Sequence, residues 1–242
     1  MTAEPGWRFA CHETLASTSD LCAERARNGE PDRLFVTATR QTAGRGRAGR
    51  VWSSPSGNFY ASALLRPAIP AAEGGMFALI AGLSLLESLD PMLPHPSPLS
   101  LKWPNDLMAN GAKLAGILLD ATVEQGMIAT LIIGFGVNLA HAPEIEGRAT
   151  TSLAALGGRA TPADLLPTLC ARLDHWQASL AADHGATLRA AWQSRAHPQG
   201  AALTIDGGRR TGTFAGIDAA GSLLLRQGDT ITTIRSGDVA LL

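Results

Sequence analysis

Lysine is nearly absent from this chain. Eighteen of its 20 basic residues are arginine, and the other two are Lys102 and Lys113. An ammonium is a compact point charge and a guanidinium a planar fork. Two lysines this close together are either a chance cluster or a place that needs the compact charge. Cysteine is scarce too. Cys11, Cys22 and Cys170 are odd in number and form no C-x-x-C pair. That argues against a disulfide framework or a zinc ribbon and reads as free thiols in a reducing compartment, the cytoplasm. The six histidines form no H-E-x-x-H or H-x-x-x-H pair, which disfavours a zinc hydrolase. No apolar run approaches the ~18 residues of a membrane helix. The opening MTAEPGWRFACHE has neither a basic nor an apolar signal-peptide region, so no secretory signal is expected.

What is present suits an ordinary globular chain. The 242 residues are 45% hydrophobic and 17% charged, enough for one substantial core with a small satellite domain. A formal net charge of −1 speaks against a nucleic-acid coat or a polybasic membrane binder.

Periodicity and turn residues set out the elements. Residues 17–29 read as a helix capped by Ser17, Thr18 or Ser19 and stopped at Gly29. Residues 34–40 read as a strand, 41–58 as a long Gly/Arg/Ser loop and 59–66 as a strand. Phe77, Ile80, Leu83, Leu86 and Leu89 predict an amphipathic helix over 75–90. After a Pro-rich link come SLKW (100–103), a turn at Pro104-Asn105-Asp106, and dense apolar strands at 114–123 and 127–139. Gln125-Gly126 joins these two, and their density places them at a sheet centre. Thr161-Pro162-Ala163-Asp164 opens a helix in which Pro167 threatens a kink, and a short helix is predicted over 186–196. From 201 onward, four or five short strands alternate with turns, which reads as a small β-barrel. The expected class is α+β, a mixed sheet with flanking helices over 1–198 and a β module over 199–242.

Gly44-Arg45-Gly46-Arg47-Ala48-Gly49 matches G-x-G-x-x-G after a strand, but Val-Trp-Ser-Ser-Pro does not open the helix a dinucleotide fold requires. The pattern G-x-x-x-x-G-K-[ST] is absent. The preferred reading is an anion-gripping loop that is flexible when empty. Arg45, Arg47 and Arg50 supply guanidinium forks, Gly44, Gly46 and Gly49 let backbone approach an anion, and Trp52 offers a stacking platform. The alternative is a solvated basic surface loop. A second cluster joins Lys102, Asn105 and Asp106 at a strand end, with Lys113 beside the small Ala115 and Gly116, and Asn138 ending the next strand. A carboxylate beside phosphate-binding groups suits Mg2+. No Ser-His-Asp or paired-carboxylate set stands out, which points to phosphoryl or nucleotidyl transfer driven by positioning.

Ser17-Thr18, QTAGRGRAGRVW (41–52), KWPND (102–106), AKLAGI (112–117) and GFGVN (134–138) occur in this order. Together they resemble biotin protein ligases, and GIDAAGSLLLR with SGDVALL is similar to that family's SH3-like domain. The resemblance spans nearly the whole chain from about residue 9. It implies a fold like class II aminoacyl-tRNA synthetases and a two-step reaction. Biotin and MgATP give biotinyl-5′-AMP, and a lysine of a biotin carboxyl carrier domain takes the biotinyl group.

By the same resemblance Ser17, Thr18 and Gln41 bind the ureido head of biotin, with Gly44 and Gly116 in the biotin pocket. Arg45, Gly46 and Arg47 close over biotin and the adenylate phosphate, Arg45 and Arg47 counting with Lys113 as catalytic. Arg50 faces the ATP phosphates and Trp52 packs on adenine. Lys102, Asn105, Asp106 and Asn138 serve the ATP side, Asp106 and Asn138 as Mg2+ ligands. Lys113 bonds the biotin carboxyl and phosphate oxygens, a task for a compact cation. Many relatives carry an N-terminal winged-helix DNA-binding domain, and only sixteen residues precede Ser17, so no operator DNA and no membrane partner is expected. A homodimer is open. Some relatives place an ATP-binding base at the final strand, where this chain has Leu241-Leu242, with Arg235 a speculative substitute. A lipoate-type ligase of the same fold is the nearest rival, and a nucleic-acid module using the arginine loop the more distant one.

Overall fold

The structure, a computed structural model, is described for residues 6–241. The expectations resting on residues 1–5 and on Leu242 lie outside the described residues.

Alternation in β2 (Leu34–Gln41) separates two cores. Phe35 joins one cluster of buried side chains, while Leu34 and Val36 join another with Cys22, Leu64 and Ile132. A strand with both faces buried needs cover on both sides. On one side lies α1 (Thr18–Arg27), capped by Ser17, whose Oγ accepts from Asp20 N. On the other lie α2 (Met76–Leu89), α3 (Pro162–Asp183) and α4 (Ala186–Ser194). Between them runs a mixed seven-stranded sheet of β1 (Arg8–Leu15), β2, β3 (Phe59–Leu65), β4 (Leu99–Lys102), β5 (Asp106–Ala109), β6 (Ala112–Glu124) and β7 (Met127–Val137). Its order is β1-β2-β3-β7-β6-β5-β4, so the two apolar strands are central as expected. Only the β1–β2 pairing is parallel among these neighbours.

Several expectations are corrected. Helix α2 is not amphipathic. Ser84, Leu85 and Ser88, which lie off the predicted stripe, are buried as well, because α3 and α4 pack against the helix. Ala71–Met92 is the one described segment long and apolar enough to cross a membrane, and it is a core helix with most of its surface inside the fold. Helix α3 runs unbroken through Pro167, started by a capping box in which Thr161 and Asp164 exchange side-chain-to-backbone bonds. β1 carried no sequence signal, and Asp106 opens a strand instead of ending a turn.

β8 (Ala202–Ile205), β9 (Arg210–Ile217), β10 (Leu223–Gln227), β11 (Thr230–Ile234) and β12 (Val239–Leu241) form an antiparallel sheet ordered β11-β10-β9-β8-β12. Among the described residues no ladder joins β11 to β12, so the expected barrel is an open sheet. Its apolar face is continuous with the main core through Leu203, Ile205, Phe214 and Leu225. Trp103 Nε1 donates to Gly221 O at 3.0 Å, and Ile217 N to Gln193 Oε1 at 3.1 Å. A Cβ on Gly75 would lie 2.5 Å from Ala220 O, so only glycine lets the two backbones approach this closely.

His197 sits at this junction, 4% exposed, edge-on to Phe214 with ring centroids 5.7 Å apart. Burial, with the Lys102 charge, pushes its pKa down to about 4. The unfolded chain therefore takes up a proton below about pH 6.5 that the folded chain refuses until about pH 4. The His197 contribution is complete above the unfolded value and is lost as pH falls through this window, a change on the order of 3 kcal/mol. The melting temperature of His197→Gln should accordingly vary less between pH 7 and pH 4 than that of the unaltered protein. Parallel melting curves against pH would refute this.

Candidate active site

Gly116 and Gly136 are register partners on β6 and β7, and Gly134 lies two residues away on the same face as Gly136. This is the face that α1 covers, and the missing side chains leave a bare floor beyond the helix N-terminus. A Cβ on Gly136 would lie 2.5 Å from Trp52 Cε2, and one on Gly116 3.0 Å from Trp52 Cζ3. The indole therefore lies flat on backbone. A Cβ on Gly134 would lie 2.8 Å from Ser19 Oγ, so α1 also reaches the sheet only because that position is glycine.

Above this floor is a cavity of about 640 Å3. Ser17, Thr18, Gln41, Arg45, Gly46, Arg47, Arg50, Trp52, Lys102, Asn105, Asp106, Lys113, Gly116 and Asn138 all line it. Gly44 is the exception. It is buried at the loop base, where a Cβ would meet Trp52 O at 2.4 Å.

The arginine loop forms a small hairpin bridged between Arg45 and Val51, turning through Ala48 and Gly49 at positive φ. The charge repulsion expected to loosen it is met by carboxylates. Arg45 pairs with Asp20 of α1 at 3.0 Å and Asp120 of β6 at 2.8 Å. Arg47 donates to Asn105 Oδ1 at 2.8 Å and Gly237 O at 3.0 Å. Arg50 donates to Asp238 Oδ2 at 3.2 Å, which Arg148 also reaches at 2.8 Å. Asn105 in turn donates Nδ2 to Ile117 O at 2.6 Å, so both ends of its amide engage protein and it holds Arg47.

Lys113 Nζ lies 2.5 Å from Asp106 Oδ1 and 5.5 Å from the Trp52 ring centroid. A bulge between Leu107 and Met108 separates the Asp106–Gly116 pair from the Met108–Lys113 pair and turns both charged side chains into the cavity. Asn138 is buried, its Nδ2 donating to Thr151 O at 3.1 Å. Among the described residues no group of three or more His, Cys, Asp or Glu could hold a metal. One carboxylate beside cations instead suits an ion that arrives with phosphate. Cys22 and Cys170 are buried and pushed up to about 12 by that burial, so neither is a thiolate nucleophile at neutral pH.

Sequence reasoning missed the partners of these residues. Asp20, Asp120 and Arg148 carry no local motif, the SGDVALL run does not announce Asp238 as a partner of the loop, and Thr204, Gly207, Val239 and Ala240 bring the second sheet to the cavity wall. Arg235 is not among the lining residues. Arg148 is the additional base there.

Residues 12–138 match the Biotin/lipoate A/B protein ligase family. The chain belongs to this family. Residues 202–242 match the Biotin protein ligase C terminal domain. A biotin--[acetyl-CoA-carboxylase] ligase of Paracoccus denitrificans is 37% identical over 226 residues, covering 88% of this chain and 92% of the relative. A bifunctional ligase/repressor of Bacillus subtilis is 32% identical over 98% of this chain and 74% of its own length. A biotin protein ligase from Aquifex aeolicus, solved in complex with biotin and ATP, superposes with a TM-score of 0.80 at 27% identity, over 97% of this chain and 98% of that one.

Asp238 is a latch between the loop and the second sheet. Burial works against its charge, but Arg148 and Arg50 outweigh that and hold its carboxyl below the usual range. The latch is therefore complete above the usual carboxylate range and opens only as pH falls through the depressed value. Asp238→Ala should speed tryptic cleavage after Arg47 and Arg50 several-fold, by the same factor at pH 6 and pH 8. Unchanged cleavage rates would show that the latch does not hold the loop.

Proposed function

We infer that this protein is an ATP-dependent biotin–protein ligase. It activates biotin as biotinyl-5′-AMP and transfers the biotinyl group to a lysine of a carboxylase's biotin carrier domain. The observation that carries the reading is one cavity that joins a floor for planar groups, a Lys–Asp pair and three arginines. The reading is supported by family membership and by relatives named for this reaction.

The first step joins two anions. A biotin carboxylate oxygen bonds to the α-phosphorus as the α-phosphorus–oxygen bond to the β-phosphate breaks, and pyrophosphate leaves with the electron pair. The barrier is charge repulsion, so preplaced cations are the main requirement. Lys113 is assigned to the carboxylate and α-phosphoryl oxygens, released from Asp106 as the ligand's charge replaces it. Arg45 and Arg47 close over the adenylate, and Arg50 and Lys102 serve the polyphosphate. Trp52 packs on the adenine. Ser17, Thr18 and Gln41 take the biotin head group, with Gly46 and Gly116 leaving room. In the second step the neutral lysine amine bonds the acyl carbon, the carbon–oxygen bond to AMP breaks, and the amine proton passes to solvent.

Mg2+ fits as a nucleotide-borne ion held by Asp106, with the Asn138 carboxamide oxygen as a neutral donor. It would supply charge neutralisation on the phosphates. The boundary near residue 198 is proposed as the limit between the ligand-binding unit and the C-terminal module. The arginine loop is assigned no nucleic-acid role, because Arg45 and Arg50 are paired with Asp20, Asp120 and Asp238 and Arg47 is held by Asn105 and the Gly237 carbonyl. Any homodimer is placed at the outer edge of β1, and the unpaired thiols suit a cytoplasmic setting.

ATP–pyrophosphate exchange with biotin and lipoate side by side tests the reading. Exchange with biotin alone is expected. Exchange with lipoate alone would move the substrate to the other branch of the family. Lys113→Ala should lower the biotin-dependent rate by a hundredfold or more, roughly the loss seen when one preorganised charge-stabilising donor is removed. Its melting temperature should stay close to that of the unaltered protein. Retained exchange would remove Lys113 from the chemistry.

A further inference from the structure

Behind Thr18 lies a serine that is not among the cavity-lining residues. Ser62 of β3 is fully buried, its Oγ 2.8 Å from Thr18 Oγ1 and 3.0 Å from Ser19 Oγ. One obligate donor fixes the direction of every bond in this chain of groups. The Thr18 backbone N–H donates to Gln41 at 2.8 Å, so the Gln41 atom there is the carboxamide oxygen, which only accepts. Thr18 Oγ1 lies 3.1 Å from the same oxygen and donates its single proton to it. Ser62 must then donate to Thr18 Oγ1, and Ser19 must donate to Ser62. The other end of the amide is fixed as well. Gln41 Nε2 donates to Ser54 Oγ at 3.1 Å, and Ser54 donates onward to Trp52 O at 3.0 Å. Ser19 is itself seated against Gly134, where a Cβ would lie 2.8 Å from its Oγ.

The remainder of this accounting faces the cavity. Thr18 Oγ1 has no proton left and one lone pair unspent, while Gln41 Nε2 retains a second N–H. An acceptor beside a donor complements a ligand that presents an N–H beside a carbonyl, as a cyclic urea does. We propose that Ser62 is a positioning residue for the biotin head group: with the Thr18 proton committed to Gln41, the Ser62 hydroxyl donates to Thr18 Oγ1 and holds that oxygen with its remaining lone pair open to the ligand. The inference rests on the biotin reading above and adds the source of its selectivity. A dithiolane ring has no N–H and would leave the Thr18 acceptor unpaired, a penalty that binding sites built on hydrogen bonds impose on analogues lacking the donor.

The test is biotin-dependent ATP–pyrophosphate exchange. Ser62→Ala removes the donor with little change in size. It should raise KM for biotin about fivefold, the scale of one neutral hydrogen bond, with kcat and KM for ATP unchanged. Thr18→Val should raise the same KM at least as much. The double variant should be no worse than Thr18→Val alone, because Ser62 acts only through Thr18. An unchanged KM for biotin in Ser62→Ala, a matching rise in KM for ATP, or penalties that add in the double variant would each overturn the proposal. If Ser62→Ala does not fold, Ser62→Cys carries the test, since a thiol donates weakly. A raised KM for biotin supports the relay and an unchanged one overturns it. Absence of biotin-dependent exchange in the unaltered protein would overturn the biotin reading, and the head-group assignment with it.

Discussion

The site depends on a sheet face stripped of side chains. A β-strand sends every second residue to a given face, and a covered face normally fills with apolar groups. On β6 and β7 the positions on the α1 side include Gly116, Gly134 and Gly136 near one end, with Leu118 opposite Gly134 and Ile132 further along. The aliphatic stretch carries α1, and the glycine stretch carries the Trp52 indole and the Ser19 hydroxyl. A single methyl group at Gly136 would displace the indole, since the space is already filled to 2.5 Å. The cavity is thus a consequence of register. Sliding β6 by one residue against β7 would send Gly116 to the opposite, helix-packed face and leave Ile117 on the floor.

Charge follows the same economy. The loop brings three arginines to a protein whose formal net charge is only −1. Each guanidinium is met by a group from a different element, Asp20 on α1, Asp120 on β6, Asn105 beside β5 and Asp238 beside β12. These pairs are substantially exposed, so each is worth little to stability. Their weakness suits the chemistry. A polyphosphate that brings more charge than a carboxylate can take over the same donors at small cost, and the loop then closes on ligand instead of on protein.

Local signals were legible in the sequence. The α1 cap, which falls on the first of the three candidates Ser17, Thr18 and Ser19, the Thr161-Pro162 helix opening and the Gln125-Gly126 turn are all settled within a few residues of chain. The motif residues that line the cavity were legible for the same reason, since they lie in short runs of unusual composition. What was not legible is whatever depends on distant chain. Strand β1 has a mixed pattern because it is an edge with Phe9 and Cys11 facing solvent, and it is held by its parallel pairing to β2. The polar face of α2 does not exist because helices that begin more than 70 residues later cover it. Asp238 is 188 residues from Arg50, and Ser62 is 44 from Thr18. Neither residue type is rare, Ser62 sits in no motif, and the run around Asp238 carries no sign of its arginine partners. Their roles arise only from register and packing.

The distribution of lysine returns as a geometric argument. Lys113 Nζ lies against Asp106, below the Trp52 ring and 3.2 Å from where a Cβ on Gly116 would sit. A single ammonium there meets the carboxylate beside the indole and the bare strand, where a guanidinium would bring two further nitrogens in a rigid plane. Lys102 meets a different requirement. It lies close enough to the buried His197 for its charge to help keep that imidazole neutral, at the junction where the two sheets share a core. In a chain that uses arginine almost everywhere else, one remaining ammonium pairs with Asp106 beside the indole and the other stands between the cavity wall and the seam that holds the second sheet in place.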